Sequence, residues 1–256
     1  MSVVSVYRVK QWLKYSQHPL AKRLLQLCLW LRRLEIPAPR LLCLPLYHGW
    51  KVVLTSVQTL TRVFWWTPLF KGRLTECGPG LNLYGGLPFI SGPLKITVGH
   101  RCRISGHTTF SGRAHGSRVP ELRVGDNVGI GWQTTIAVGT QVILGNNVRI
   151  AGRSFLCGYP GHPLDPVARA AGQPDTDSQT GDIILEDDVW LGTGVSIMPG
   201  VCIGQGTIVA AGSIVTKSLP PGVLAAGNPA RVIRPLAARL HPQSQIQPDG
   251  EKTDAA

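Results

Sequence analysis

The residue with the most chemical potential is a histidine in an unusual place. Of seven histidines, His162 lies in GYPGHPLD, inside a stretch from 157 to 182 dense in Pro, Gly, Asp and Ser. That composition reads as a loop, and a loop this long inside a compact chain is either functional or disordered. A neutral imidazole placed there can take the proton of a hydroxyl as it attacks a carbonyl, then return it to the leaving group. The alternative is a turn histidine held beside Pro163. Asp165 is near enough in sequence to orient the ring. His100, Cys102, His107 and His115 also cluster, but their spacing fits no usual zinc pattern, so no metal is expected. Cys157, at the foot of the loop, is a nucleophile in principle. No His-paired motif surrounds it, which favours a small packed residue. Neither G-x-x-x-x-G-K-[ST] nor G-x-G-x-x-G after a strand occurs, so nucleotide hydrolysis and dinucleotide binding have no support.

Such a histidine needs a rigid support, and composition indicates one. The 256 residues include 30 glycines, which points to many tight turns and mostly β structure. From Leu185 onward the period is six: Leu185, Leu191, Ile197, Ile203, Val209 and Val215 head successive hexads. A period of six is neither helical nor that of a plain meander. It fits a triangular parallel β-helix, with one aliphatic head pointing inward per face, small second residues and three hexads per coil. Val98, Ile104 and Phe110, then Val124, Ile130 and Ile136, then Leu144, Ile150 and Leu156, continue the frame upstream with interruptions. About five to six coils are expected over residues 94–219.

The stretch DDVWLGTGVSIMPGVCIGQGTIVAAGSIVTKSLPPGVLAAGNPARVIR resembles the left-handed β-helix hexapeptide acyltransferases, and within them the galactoside/maltose/xenobiotic O-acetyltransferase class. The features that carry the resemblance are Trp190 after DDV, the GSIVTK corner, the PP that ends the repeats, GNPARVIR, and the loop with its GHP. The match is strong over residues 183–234, moderate back to Val124 and absent over residues 1–93. The resemblance implies a left-handed coil, a homotrimer with sites between subunits, and acetyl-CoA as acyl donor without a metal. His162 would be the general base of a direct transfer to a sugar hydroxyl. Trp190 would sit near the acetyl and acceptor groups, and Thr193 and Ala211 along the pantetheine path. Thr216 and Lys217 would lie near the adenine, with Arg231 and Arg234 near the CoA phosphates. The segment 220–240 would thus complete the CoA site. N-acylation of an amino sugar and a non-catalytic β-helix scaffold remain as alternatives.

The charge is uneven. The formal net charge is +12, yet residues 1–75 carry 12 of the 26 basic residues and a single acid, Glu35. They also hold 10 of the 17 aromatics, including Trp12, Trp30, Trp50, Trp65 and Trp66. Leu20, Leu24, Leu27, Cys28, Leu31 and Leu34 share one helical face, and residues 7–34 read as amphipathic helix interrupted near Pro19. A basic, Trp-rich amphipathic segment is what a monotopic anchor on an anionic leaflet requires. The expected acceptor is therefore a membrane-associated glycan precursor of lipopolysaccharide, capsule or exopolysaccharide, reached from the inner face of the cytoplasmic membrane. The competing expectation is that residues 1–93 pack as an ordinary helical cap. Nucleic-acid binding is disfavoured, because the aromatics sit among leucines and valines rather than in a polar groove. The start MSVVSVYRVKQ lacks a signal peptide's apolar region. No apolar run is long enough to span a membrane. Six cysteines without a C-x-x-C pair suggest reduced thiols. A polar tail from His241 to Ala256 is expected to be disordered.

Overall fold

The computed structural model describes residues 3–116 and 118–236. The expected tail, 241–256, and the end of the 220–240 segment lie outside them. The chain divides into two units, residues 1–55 and 56–256.

The first unit is helical. Helices α1 (Val3–Tyr15) and α2 (Pro19–Arg32) form on the amphipathic stretch, separated where the sequence places the break. His18 caps α2, its Nδ1 accepting the Leu20 N–H at 3.2 Å, and Pro19 takes the first turn, where no N–H is needed. Ala21 is buried, whereas Trp12, Leu20, Leu24, Leu27, Trp30, Leu31 and Leu34 are exposed. Helix α3 (Arg40–Thr61) crosses into the second unit. No described helix is long and apolar enough to cross a membrane.

The second unit continues through a π-helical turn (Arg62–Trp66) and helix α4 (Thr67–Arg73). The buried Phe70 of α4 meets Phe110, with ring centroids 6.3 Å apart. The rest is a coil of parallel strands in three sheets, each strand pairing with the third one along the chain. The first sheet runs Glu76–Cys77, Lys95–Val98, Glu121–Val124, Gln141–Leu144, Ile183–Leu185 and Cys202–Ile203. The second holds Asn82–Tyr84, Arg103–Ser105, Gly129–Ile130, Arg149–Ile150, Trp190–Leu191 and Ile208–Val209. It ends in the hairpin Val223–Gly227 and Ala230–Pro235. The third holds Phe89–Ser91, Thr109–Gly112, Thr135–Val138, Phe155–Cys157, Ser196–Ile197 and Ile214–Val215.

The hexad heads are the core. Leu185, Leu191, Ile197, Ile203, Val209 and Val215 are fully buried, as are Ile104, Ile136 and Leu156. Fifth positions also point inward, and their polar members are satisfied. Thr207 Oγ1 donates to the Pro220 carbonyl at 2.7 Å, and Ser213 Oγ accepts the Gly227 N–H at 3.1 Å. One corner is a ladder of left-handed residues, Asn127, Asn147 and Asp188, with φ of 54°, 59° and 63°. Asn and Asp tolerate this region because their short polar chains bond locally. Here Asn127 Nδ2 donates to Asn147 Oδ1 at 2.8 Å, and Asn147 Nδ2 to Asp188 Oδ1 at 2.9 Å.

The expected boundary at residue 93 needs correction. The helices end at Arg73 and the first coil begins at Glu76. Cys77 pairs with Val98, Leu83 with Ile104 and Ile90 with Phe110. The spacing from Leu83 to Ile90 is seven and from Ile90 to Val98 eight, so the frame of six does not reveal this coil.

Candidate functional site

The excursion occupies 158–182, because the strand before it runs to Cys157. It leaves the third sheet and re-enters the first. Its ends are pinned by the Gly181 N–H donating to the Gly158 carbonyl at 3.1 Å. It is more ordered than its composition implies. Thr176 and Gln179 form a capping box around a 3-10 turn, Asp177–Gln179. A short helix, α5 (Pro166–Ala170), follows Asp165. Asp165 does not orient the imidazole as expected: its Oδ2 accepts the Ala168 N–H at 2.7 Å, as the N-cap of α5. The sequence D-P-V-A carries that signal, a capping carboxylate followed by proline at the first helical position.

His162 is exposed, and its carbonyl accepts Gln179 Nε2 at 3.1 Å. The backbone one residue earlier is held more firmly. Gly161 N–H donates to Asp175 Oδ2 at 3.3 Å, and the other Asp175 oxygen accepts Arg113 Nε at 2.8 Å. Arg113 Nη2 also donates to the Asp175 carbonyl at 2.9 Å, and Nη1 pairs with Asp177. The side chains of Arg113 and Asp175 are 5% and 3% exposed, so this is a buried ion pair. Burial opposes the charge on Arg113, but hydrogen bonds and attraction from Asp175 and Asp177 outweigh it and raise its pKa. Sequence reasoning missed Arg113 and Asp175. They lie 62 positions apart and no local pattern links them. Tyr159 adds a further tie, its hydroxyl 2.6 Å from Ser111 Oγ.

Cys157 is half-buried and its Sγ donates to the Tyr159 carbonyl at 3.3 Å. Burial raises its thiol pKa, against a smaller opposing effect of that hydrogen bond. A thiol held protonated is a poor nucleophile. The Cys157 thiol should therefore react with iodoacetamide at neutral pH more slowly than a free cysteine, and an equal or faster rate would restore Cys157 as a nucleophile. Cys102 is buried inside the coil, with Sγ 3.1 Å from the Gly125 carbonyl. Among the described residues no group of His, Cys, Asp and Glu is arranged to hold a metal ion.

The remaining expected site residues fall into two groups within one chain. Thr193 and Ala211 occupy the same hexad position one coil apart, where the chain passes from the second sheet to the third. They are joined by the Gly212 N–H donating to the Thr193 carbonyl at 2.9 Å. Gly192 is required beneath Ala211, since a Cβ there would lie 2.6 Å from the Ala211 nitrogen. Trp190 lies on the second sheet, 51% exposed. Arg231 and Arg234 are exposed on the last strand of that sheet, and among the described residues neither forms an ion pair. His162, Thr216 and Lys217 lie instead where the chain passes from the third sheet to the first, as does Arg113. The two groups thus flank the third sheet rather than converging on one face.

Residues 182–217 match the family described as bacterial transferase hexapeptide (six repeats). The chain is 37% identical over 143 residues to a galactoside O-acetyltransferase of Escherichia coli, covering 56% of this chain and 65% of that one. It is 39% identical over 101 residues to a galactoside O-acetyltransferase of Lactococcus lactis, covering 40% and 44%. The chain therefore spans less than two thirds of each of these relatives. Among solved structures, AntD, an N-acyltransferase from Bacillus cereus in complex with dTDP and 3-hydroxybutyryl-CoA, superposes with a TM-score of 0.54 at 21% identity. That match covers 66% of this chain and 87% of that one, and it supports the fold.

Proposed function

We propose that this chain, whose residues 182–217 carry the bacterial transferase hexapeptide repeat, is an acetyl-CoA-dependent O-acetyltransferase acting on a sugar hydroxyl. The observation that carries the reading is His162 in a folded loop whose backbone is tied to the coil through Asp175 and Arg113. His162 takes the proton of the acceptor hydroxyl as that oxygen attacks the thioester carbonyl, and delivers it to the departing CoA sulfur. Arg231 and Arg234 suit the CoA phosphates, because a guanidinium offers paired donors to phosphate oxygens. Thr193 and Ala211 flank the pantetheine, Thr216 and Lys217 the adenine, and Trp190 the acetyl and acceptor groups. The coil is left-handed in this reading, and three copies associate. The separation of His162 from Trp190 supports a site completed between copies, with the loop of one subunit facing the second sheet of its neighbour. A direct test is CoA binding by calorimetry. The chain should bind CoA, and Arg231→Gln should weaken binding by about tenfold. A chain that binds no CoA contradicts the proposal.

The acceptor is a membrane-associated glycan precursor. Supporting this, the first unit exposes Trp12, Trp30 and a run of leucines beside its cationic residues. Such a surface lies stably at an anionic interface, apolar side chains among the acyl chains and cations at the headgroups. The full chain should float with anionic vesicles, and should lose that binding when residues 1–55 are removed or when salt is raised. Equal flotation of both chains would contradict membrane docking by this unit. N-acylation of an amino sugar is the second reading, since the superposed Bacillus cereus protein is an N-acyltransferase.

A further inference from the structure

A groove of about 580 Å³ crosses the second sheet and ends at Trp190. Strand register sets its floor: Asn82, Arg103, Gly129, Arg149 and Trp190 are lateral neighbours on consecutive strands. Neighbouring strands lie about 4.8 Å apart, so Arg149 is immediately beside Trp190 and Arg103 about 10 Å from Arg149. Gly129 leaves room for the Arg149 side chain to lie across the sheet: a Cβ there would be 3.3 Å from Arg149 Cδ.

The cations are held rather than loose. The Arg103 guanidinium stacks on Tyr84, Cζ 4.6 Å from the ring centroid. Arg149 Nη2 donates to Asn127 Oδ1 at 3.1 Å, and Nη1 to the Asn127 carbonyl. Arg101 enters from the adjoining corner. Among the described residues no carboxylate lines the groove. Asp126 lines a smaller neighbouring cleft with Arg101, but its Oδ1 accepts the His100 N–H at 2.7 Å. Among the described residues Arg101, Arg103 and Arg149 form no ion pair, and with Asp126 only in the cleft beside Arg101 the groove itself carries net positive charge. Oriented by an aromatic face and an asparagine, the Arg103 and Arg149 guanidinium groups form a pre-organised anion receptor, whose planar forks match phosphate oxygens. Trp190 at the end of the groove offers an apolar plate.

We infer that this groove binds the diphosphate of an anionic sugar acceptor, with Arg103 and Arg149 on the phosphates and Trp190 against the sugar. The inference rests on the acyltransferase reading above and specifies its acceptor class. The shared chemistry is a sugar joined to a diphosphate, which a nucleotide sugar and a polyprenyl-linked sugar both supply.

The full chain is first saturated with CoA, which fills the donor's own phosphate contacts, and then titrated with inorganic pyrophosphate. The same titration is run on Arg103→Gln/Arg149→Gln, whose fold is checked by its melting temperature and whose donor site by CoA affinity. Pyrophosphate should bind the parent chain and bind the double variant at least about tenfold more weakly, with CoA affinity unchanged. Uridine diphosphate and farnesyl diphosphate, as competitors, then distinguish the nucleotide from the polyprenyl source, and displacement by either supports the groove. If a CoA-competent chain binds none of the three, or binds them equally after both substitutions, the inference is overturned and the acyltransferase reading stands. If the parent chain fails to bind CoA, that reading falls, and pyrophosphate titration alone still decides the groove.

Discussion

Replacing His162 by alanine should lower turnover by on the order of a hundredfold or more, the usual contribution of a positioned general base. The KM for acetyl-CoA should change little, because the role proposed for the imidazole is on the acceptor hydroxyl. Folding should be unaffected, since the side chain is exposed and its one described contact is the backbone carbonyl that Gln179 reaches. Any residue at 162 keeps that carbonyl. The pattern expected of a base is therefore a drop in kcat at unchanged melting temperature. Near-parental turnover in His162→Ala would remove the residue from the mechanism and leave a folded loop without an assigned task.

Breaking the Arg113–Asp175 pair should have the second large effect. Arg113→Met leaves the buried Asp175 without its charged partner, which costs about 3–5 kcal/mol when the pair is well enclosed, and Asp175→Asn, which leaves Arg113 only its exposed partner Asp177, costs less. Asp177 gives the internal comparison. Its side chain is 75% exposed, so solvent screens the attraction and Asp177→Asn should cost less than about 1 kcal/mol. Because Asp175 also holds the Gly161 N–H, the damage should concentrate in the loop. Hydrogen exchange across 158–182 should accelerate, and turnover should fall at least about tenfold as His162 loses its fixed backbone. Removing both charges, as in Arg113→Met/Asp175→Leu, should recover part of the stability but not the turnover, because Gly161 still lacks its acceptor. Unchanged exchange and turnover in Asp175→Asn would show that the clamp does not position the histidine.

The coil was legible because its physics is periodic. A buried aliphatic head every sixth residue is a constraint that each coil repeats, and Leu185 to Val215 satisfy it without interruption. The same rule hid the first coil, whose corner at Gly85 and Gly86 breaks the frame. Helices α1 and α2 were legible for a similar reason, with Pro19 fixing the break. The clamp on the loop was not legible. Arg113 and Asp175 each look like ordinary polar loop residues, and their pairing arises only when the coil stacks their corners. The role of Asp165 could have been read from D-P-V-A, but its proximity to His162 suggested a different partner. The arginine row likewise depends on register, which joins Arg103, Arg149 and Trp190 across 87 residues.

The most direct measurement is product mass spectrometry after incubating the full chain with isotopically labelled acetyl-CoA and bacterial membrane glycolipid extracts. The expected result is a sugar-containing product heavier by one labelled acetyl group, removed by mild alkali as an O-ester is, and absent with His162→Ala. A labelled product that survives mild alkali would place the acetyl on nitrogen instead. No labelled product and no CoA release from any extract would contradict acetyl transfer by this chain.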